Sequence, residues 1–396
     1  MPRSYGFLST HPPTQCGLAT FNSALAAHII AEGASGGVVR VVAGDDRHAE
    51  PAVPGDGRAD ARRPVGPGVV HSWSARTVAG WRDAAAALDT FDVAVVQHEY
   101  GIYPGPDGQD VLPLLRRLTV PSIVVLHTVL ANPTAGQKAV LEQLVAAAST
   151  VVTMTDTARD RLLLGYTVDA AKVTVIPHGA ADHDDTTAEP RQRPHLLTWG
   201  LLGPGKGIEW ALRALARLRG LNPTPTYTVA GRTHPKVFEQ HGEEYRTGLQ
   251  RLGAILGVAD DVDYQPIYHD EVALGRLIRS ADVVVLPYDS REQVTSGVLI
   301  EAVAAGVPVV ATPFPHAVEM LTDGPGLLVP HQDPVALAAA VRRILTEPGL
   351  APRLAGRTRA PTLRWPAVAA RYRALAERLH TADPHPAAPT VVTAPA

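Results

Sequence analysis

Short runs of β-branched and other apolar residues recur along this chain, separated by longer stretches rich in alanine and leucine. In the first half the runs are Val38 to Ala43, Val93 to Val96, Ile123 to Leu126, Val151 to Val152 and Val173 to Ile176. Strands that are apolar on both faces need cover on both sides, which parallel sheets wrapped in helices provide. The segments Thr20 to Ala31, Ser74 to Leu88 and Ala135 to Ala148 are spaced to lay an apolar helical stripe on such a sheet. The alternation starts again with Leu196 to Trp199, Tyr227 to Ala230, Val283 to Leu286, Val309 to Ala311 and Leu327 to Val329, with helices expected at Ile208 to Leu218 and Val335 to Leu345. The fold class is α/β, in two doubly wound domains.

A chain of 396 residues exceeds what one hydrophobic core ordinarily serves. The change of texture falls between Ile176 and Leu196, where Asp182-His183-Asp184-Asp185 and Glu189-Pro190-Arg191-Gln192-Arg193-Pro194 make a polar, irregular stretch. The expected division is a first domain over residues 1–180, a linker over 181–195 and a second domain over 196–362. A helix follows over 363–381, and a Pro-, Ala- and Thr-rich tail over 382–396 is expected to be disordered. Two doubly wound domains facing each other put strand ends and helix N-termini on both walls of a cleft, the default ligand site.

A formal net charge of -3 argues against nucleic acid as a partner. A single cysteine, Cys16, allows no internal disulfide, and the N-terminal residues lack the long apolar region of a secretory signal, so a cytoplasmic protein is expected. Interior apolar runs such as Val120 to Val129 are too short and too interrupted to span a bilayer, although they leave peripheral contact with a membrane open. Oligomeric state is not legible.

The most informative segment is Gln293-Val294-Thr295-Ser296-Gly297-Val298-Leu299-Ile300-Glu301, which follows a strand end at Leu286-Pro287-Tyr288 and opens a helix. Amides and hydroxyls at such a helix start form an anion site suited to a diphosphate, and Glu301, about one turn further on, suits two adjacent ribose hydroxyls. On the residues alone an ordinary Thr or Ser helix cap is an equal reading. Gly200-Leu201-Leu202-Gly203-Pro204-Gly205-Lys206-Gly207 also joins a strand to a helix. Its spacing fits a P-loop, except that Gly207 stands where a Ser or Thr hydroxyl should hold magnesium. Gln97-His98-Glu99-Tyr100 and Leu126-His127-Thr128 lie at strand C-termini, which places both histidines toward the cleft. The Asp182 to Asp185 cluster has no second ligand group at metal-binding spacing and reads as a solvated turn, so no protein-bound metal is expected.

Leu286-Pro287-Tyr288, Gln293 to Glu301, Ala302 to Gly306 and Val307 to Thr312 together resemble the nucleotide-sugar motif of retaining GT-B glycosyltransferases of family four, specifically a bacterial mannosyl- and glucosyltransferase-like subgroup with a Gln-x-Thr-Ser-Gly motif. The resemblance covers nearly the whole chain. It implies a GT-B fold of two Rossmann-like domains around a deep cleft, with the C-terminal helix returning to the N-terminal domain. The function implied is transfer of a hexose, with retention, from a nucleoside-diphosphate sugar of GDP-mannose or UDP-glucose type to a saccharide, lipid or metabolite acceptor. The donor is a substrate, and no permanently bound cofactor is implied.

By the same resemblance Lys206, Gly200, Thr295, Ser296, Gly297 and Val298 serve the diphosphate, Glu301 the ribose, and His127 with Gln293 the hexose, Lys206, His127 and Gln293 being the catalytic set. Gly17, in Pro12-Pro13-Thr14-Gln15-Cys16-Gly17-Leu18-Ala19-Thr20-Phe21, resembles the N-terminal glycine loop, and His98 and Glu99 are acceptor-side candidates. Cys16 reads as a small buried residue, and His178-Gly179 as an architectural turn into the linker. Two departures stand out. Gln293 replaces the usual first glutamate, with Glu292 one residue out of register, and Leu201 replaces an arginine for which Arg232 is the candidate substitute, against its reading as a solvated loop residue. The rival readings are a P-loop hydrolase or kinase, a nucleotide-sugar epimerase or hydrolase on the same fold, and a noncatalytic nucleotide-sugar sensor.

Overall fold

The computed structural model describes residues 2–42, 65–74, 77, 79–183, 191–358 and 360–382. Within them the first sheet contains β1 (Ser4–Ser9), β2 (Ser35–Val42), β3 (Val69–Ser74), β4 (Val93–His98), β5 (Ser122–Leu126), β6 (Thr150–Thr153) and β7 (Val173–Val175). The second contains β8 (His195–Trp199), β9 (Thr226–Ala230), β10 (Val262–Gln265), β11 (Val283–Leu286), β12 (Val309–Ala311) and β13 (Gly326–Leu328). The strand orders are β3-β2-β1-β4-β5-β6-β7 and β10-β9-β8-β11-β12-β13. Every pairing is parallel. The expected α/β class and the pair of doubly wound sheets are borne out.

Helices cover both faces. Those of the first half are α1 (Gly17–Ile30), α2 (Trp81–Leu88), α3 (Val111–Arg117), α4 (Ala135–Ala147) and α5 (Asp156–Gly165). The second half adds α6 (Ile208–Arg217), α7 (Pro235–His241), α8 (Glu244–Leu256), α9 (Glu271–Arg279), α10 (Gly297–Ala304), α11 (Pro315–Leu321), α12 (Pro334–Thr346), α13 (Leu350–Ala355), α14 (Ala360–Leu363) and α15 (Trp365–Ala382). The expected helix over Ser74 to Leu88 is a correction: its first residue ends β3, and the helix begins only at Trp81. Of the expected linker, residues 184–190, Asp184 and Asp185 among them, lie outside the described residues, as do Ala43 of the first expected strand run and residues 383–396 of the expected tail.

Both sheets reverse direction of strand addition, at β1/β4 and at β8/β11. Loops leaving the two neighbouring strands there diverge to opposite faces and open a crevice at the strand C-termini. These ends carry Thr10, Glu99, Gly200 and Pro287, so both crevices are placed by topology alone.

The chain crosses between the sheets twice, and the crossings are bonded together. The Ala180 N–H donates to the Leu363 carbonyl at 2.8 Å, and the Trp365 N–H donates to the Ala180 carbonyl at 3.0 Å. Beyond that point α15 leaves the second domain and packs on the first. Trp365, Val368, Ala369, Tyr372 and Leu375 are buried in one cluster with Tyr5, Phe7, Phe21 and Leu25. The returning C-terminal helix is thus observed. Among the described residues no helix is long and apolar enough to cross a membrane.

Trp365 is only 3% exposed and stands edge-on to Phe21 at 5.2 Å. Trp365→Ala is expected to lower stability by about 3–5 kcal/mol, the usual cost of emptying a large aromatic site. Urea denaturation measures this, and a loss below about 1 kcal/mol would mean that α15 is not part of the first domain's core.

Candidate active site

The second domain contributes the loop after β8 and the start of α10. In the first, Gly200 follows β8 with its amide donating to the Ala230 carbonyl at 3.0 Å, and Lys206 precedes α6. The Lys206 Nζ lies 4.4 Å over the Tyr288 ring, a cation–π contact that holds the ammonium beside the β11 end. Tyr288 is buried and stacks on Phe314 at 5.2 Å. The Asp289 amide donates to the Gly205 carbonyl at 3.0 Å, which joins the two loops.

Gly207 decides against the P-loop. Its φ is +63°, and a Cβ there would fall directly on the Pro287 carbonyl oxygen. No serine or threonine fits where a P-loop needs its magnesium-holding hydroxyl.

At α10 the capping reading and the anion-site reading divide the residues between them. Ser296 is the N-cap: its hydroxyl accepts from the Leu299 N–H at 3.2 Å. The Ser296 N–H is also engaged, donating at 2.8 Å to Nδ1 of His316, a side chain 1% exposed in the first turn of α11. The His316 N–H in turn donates to the Gln293 carbonyl at 3.3 Å, so this histidine grips the loop at two points. Gly297 and Val298 keep amides with no protein acceptor among the described residues, and the Thr295 Oγ1 is buried without a partner. These three groups, not Ser296, remain available at the helix start.

Gln293 is half-buried and donates from Nε2 to the Thr295 carbonyl at 3.0 Å, stiffening its own loop. The neighbouring Glu292 does not take the place of the missing glutamate. It is paired with Arg161 of α5 at 3.2 Å, and Arg161 also donates to the Glu292 carbonyl at 3.0 Å. Glu301 accepts from the Ala181 N–H at 3.3 Å to each oxygen and from His183 at 3.2 Å.

The first domain brings α1 and the ends of β4 and β5. Cys16 caps α1, its Sγ accepting from the Ala19 N–H at 3.4 Å, and it is half-buried rather than buried as expected. Gly17 opens that helix with nothing within 4 Å of where a Cβ would project. His127 donates from Nε2 to the Gln97 Oε1 at 2.9 Å, since an amide oxygen only accepts, and this fixes the neutral tautomer with Nδ1 as an acceptor. Burial, helped by the nearby His178 and His98, lowers its pKa to about 3. Phe21 stands edge-on to both His127 and His178 at 4.8 Å. The expected architectural His178 lies at the centre: its Nδ1 donates to the Gly179 carbonyl, and its Nε2 lies 3.0 Å from where a Cβ on Gly297 would project.

His98 corrects the expectation that both histidines face the cleft. It is fully buried against the Tyr100 ring at 5.1 Å, and burial lowers its pKa to about 4. Glu99 accepts from the Thr128 hydroxyl at 2.5 Å and the Tyr100 N–H at 3.0 Å. Burial raises its pKa, against those bonds and the charge of Lys236 from α7. Arg232 is not a solvated loop residue, for its Nη1 donates to the Gln15 Oε1 at 3.0 Å across the cleft. Thr20 and Tyr268 meet across it too, with hydroxyls 2.8 Å apart. Among the described residues no group of three metal-ligating side chains converges.

Sequence reasoning missed His316, Lys236 and Tyr268, and it read His183 as part of a solvated turn although its side chain is buried. None belongs to a spacing pattern, and only the packing of α11, the crossing segment, α7 and the loop after β10 brings them in.

Two facing parallel domains with their crevices opposed define the GT-B class of fold. Residues 17–184 match the family described as Glycosyltransferase Family 4, and residues 193–347 that described as Glycosyl transferases group 1. A D-inositol 3-phosphate glycosyltransferase of Frankia alni is 30% identical over 310 residues, covering 69% of this chain and 74% of that one. The same-named protein of Streptomyces avermitilis is 33% identical over 227 residues, covering 54% of this chain. The matched part spans about half of that relative, 47% of its length. The Anabaena HepE structure in complex with UDP-glucose superposes with a TM-score of 0.67 at 16% identity, covering 95% of this chain and 99% of that one. The chain belongs to the group 1, family-4 glycosyltransferases.

Gly207→Ser, which would complete the P-loop pattern, is expected to lower the melting temperature by several degrees and to create no magnesium-dependent ATP binding; calorimetry with ATP checks both. A stable variant that binds Mg-ATP would count against the clash with Pro287.

The buried imidazoles set a second expectation. His98 and His195 are lowered to about 4 and His127 and His316 to about 3, all from the ordinary 6.5. With folded values below the unfolded one, their stability is complete above about pH 6.5 and is lost as the pH falls toward 4 and then 3, because the unfolded chain binds the extra protons. Urea midpoints should therefore fall between pH 6.5 and 5, and flat midpoints would mean that the imidazoles charge freely in the fold.

Proposed function

We propose that this protein is a cytoplasmic, retaining hexosyltransferase that moves glucose or mannose from a nucleoside-diphosphate sugar to an acceptor held against the first domain. The observation that carries the reading is that the β8 loop, which bears Lys206, and the start of α10 meet at the β8/β11 crevice, where a Cβ on Gly200 would come 3.5 Å from Val298. The Gly297 and Val298 amides at that helix start have no protein acceptor among the described residues. A cation on one loop and a helix N-terminus beside it suit an anion such as a diphosphate. Family membership supports the reaction class, and the UDP-glucose held by the Anabaena neighbour favours that donor.

In this reading Lys206, the Thr295 hydroxyl and the two amides stabilise the charge that grows on the departing diphosphate. Glu301 holds the ribose hydroxyls. His127, kept neutral, offers Nδ1 to a sugar hydroxyl, and Gln293 contacts the hexose from the opposite wall as a neutral group in place of the usual carboxylate. The acceptor enters on the leaving-group face and passes its proton to the departing phosphate, so no carboxylate nucleophile is required. Glu99 and Lys236 lie on the acceptor side, and the curated relatives' substrate makes a polyol phosphate the first acceptor to try. Closure about the crossing segment excludes water and limits donor hydrolysis.

Calorimetric titration with GDP, UDP, ADP and ATP, each with and without magnesium, tests this. The expected result is metal-independent binding of one nucleoside diphosphate, weakened about tenfold or more in Lys206→Ala, on the scale of a charge-assisted contact. Magnesium-dependent ATP binding alone would overturn it.

A further inference from the structure

His183 sits in the run expected to be a solvated turn, yet its side chain is only 5% exposed. One edge of the ring meets α9 at Gly275, where a Cβ would come 2.5 Å from Nδ1, so the slot admits no larger residue. The other edge presents Nε2 to the Glu301 Oε2 at 3.2 Å. A carboxylate in this pair accepts, so Nε2 carries the donated proton.

The neighbouring residues of the crossing are pinned as well. Ala180 is bonded to Leu363 and Trp365, Asp182 pairs with Arg364 at 2.9 Å, and the Ala181 N–H is shared by the two Glu301 oxygens at 3.3 Å each. Four consecutive residues are thus anchored, and two of the anchors are on one glutamate. A carboxylate has about four lone-pair positions, so these three contacts leave an open position on Oε1 while removing the side chain's freedom to turn.

We infer that His183 is a positioning residue for the donor: it locks the Glu301 carboxylate against the interdomain crossing so that its open Oε1 edge meets the hydroxyls of the nucleotide ribose. The inference rests on the ribose reading of Glu301 given above. It also ties the donor site to the first of the two interdomain crossings, because the same bonds that orient Glu301 hold residues 181 and 183 in place.

The test compares GDP, UDP and ADP, each with its 2′,3′-dideoxy counterpart, by calorimetry on the full chain, with thermal melts to confirm folding. The wild type should prefer the ribonucleotide. His183→Ala should reduce that preference about five- to tenfold, the worth of one charge-assisted hydrogen bond, while leaving dideoxynucleotide affinity unchanged. His183→Gln, whose amide can still donate to Glu301, should restore most of it. A preference retained in His183→Ala but lost in Glu301→Ala would overturn the inference and leave the ribose reading intact. Tighter ribonucleotide binding in His183→Ala would make the contact a plug rather than a support, which also overturns it. A wild type without preference, or one whose preference survives Glu301→Ala, would overturn the ribose reading itself.

Discussion

The two strands of chain that join the domains are hydrogen-bonded to each other through one residue, Ala180, and the cleft depends on that contact. It holds the end of the first domain, the last turn of the second and the start of α15 in one place. Trp365 then reaches back onto Phe21, and Phe21 in turn supports His127 and His178, which line the first domain's side of the site. From the same junction Ala181 and His183 reach Glu301 in the second domain. Both walls are therefore referenced to a single point. Further contacts, such as Thr155 with the Val294 carbonyl at 3.1 Å and Glu319 with the Asp156 and Thr157 amides at 3.0 and 2.9 Å, close one side of the cleft around it.

How much of this the sequence discloses follows from what a strand must bury. β4, β5, β8, β11 and β12 lie inside their sheets and are buried along their length, and each reads as a mostly apolar run, broken in β8 only by Thr198 between Leu197 and Trp199. The edge strands β3 and β10 are covered less completely, so Val-Val-His-Ser-Trp-Ser and Val-Asp-Tyr-Gln carry polar residues and pass for loop or helix. β1 escapes for another reason: it is central, but a glycine and two serines leave it only a short apolar stretch. Short helices such as α7 and α13 lack the turns over which a 3.6-residue period becomes visible.

For the site, the sequence discloses position along the chain but not the direction of a side chain. His98 ends β4 and His127 directly follows β5, yet one is sealed against Tyr100 and the other stays partly open beside Gln97. Ser296 and Thr295 are adjacent hydroxyls at one helix start; the first is consumed by capping and by His316, and the second is left over. Such divisions are settled by neighbours far away in sequence, which no local spacing encodes. The same holds for Glu292, whose ion pair with Arg161 explains why a glutamate one residue out of register does not restore the usual pattern.

The electrostatics of the cleft form a consistent arrangement. Burial lowers the pKa of His98, His127, His178 and His316, so none of these imidazoles adds positive charge where the proposed hexose would lie. Positive potential is concentrated where the diphosphate would lie, from Lys206 and two helix-end amides. In the proposed reaction, Gln293 in place of a glutamate removes a negative charge from the side where the sugar would lie, a charge that would have steadied a cationic sugar ring. With the ring's charge less supported by the protein, more of the transition-state stabilisation in the proposed reaction must come from the leaving diphosphate staying close to the sugar it departs. That places the greater demand on Lys206, Gly297 and Val298, and on the Tyr288 face against which the lysine lies.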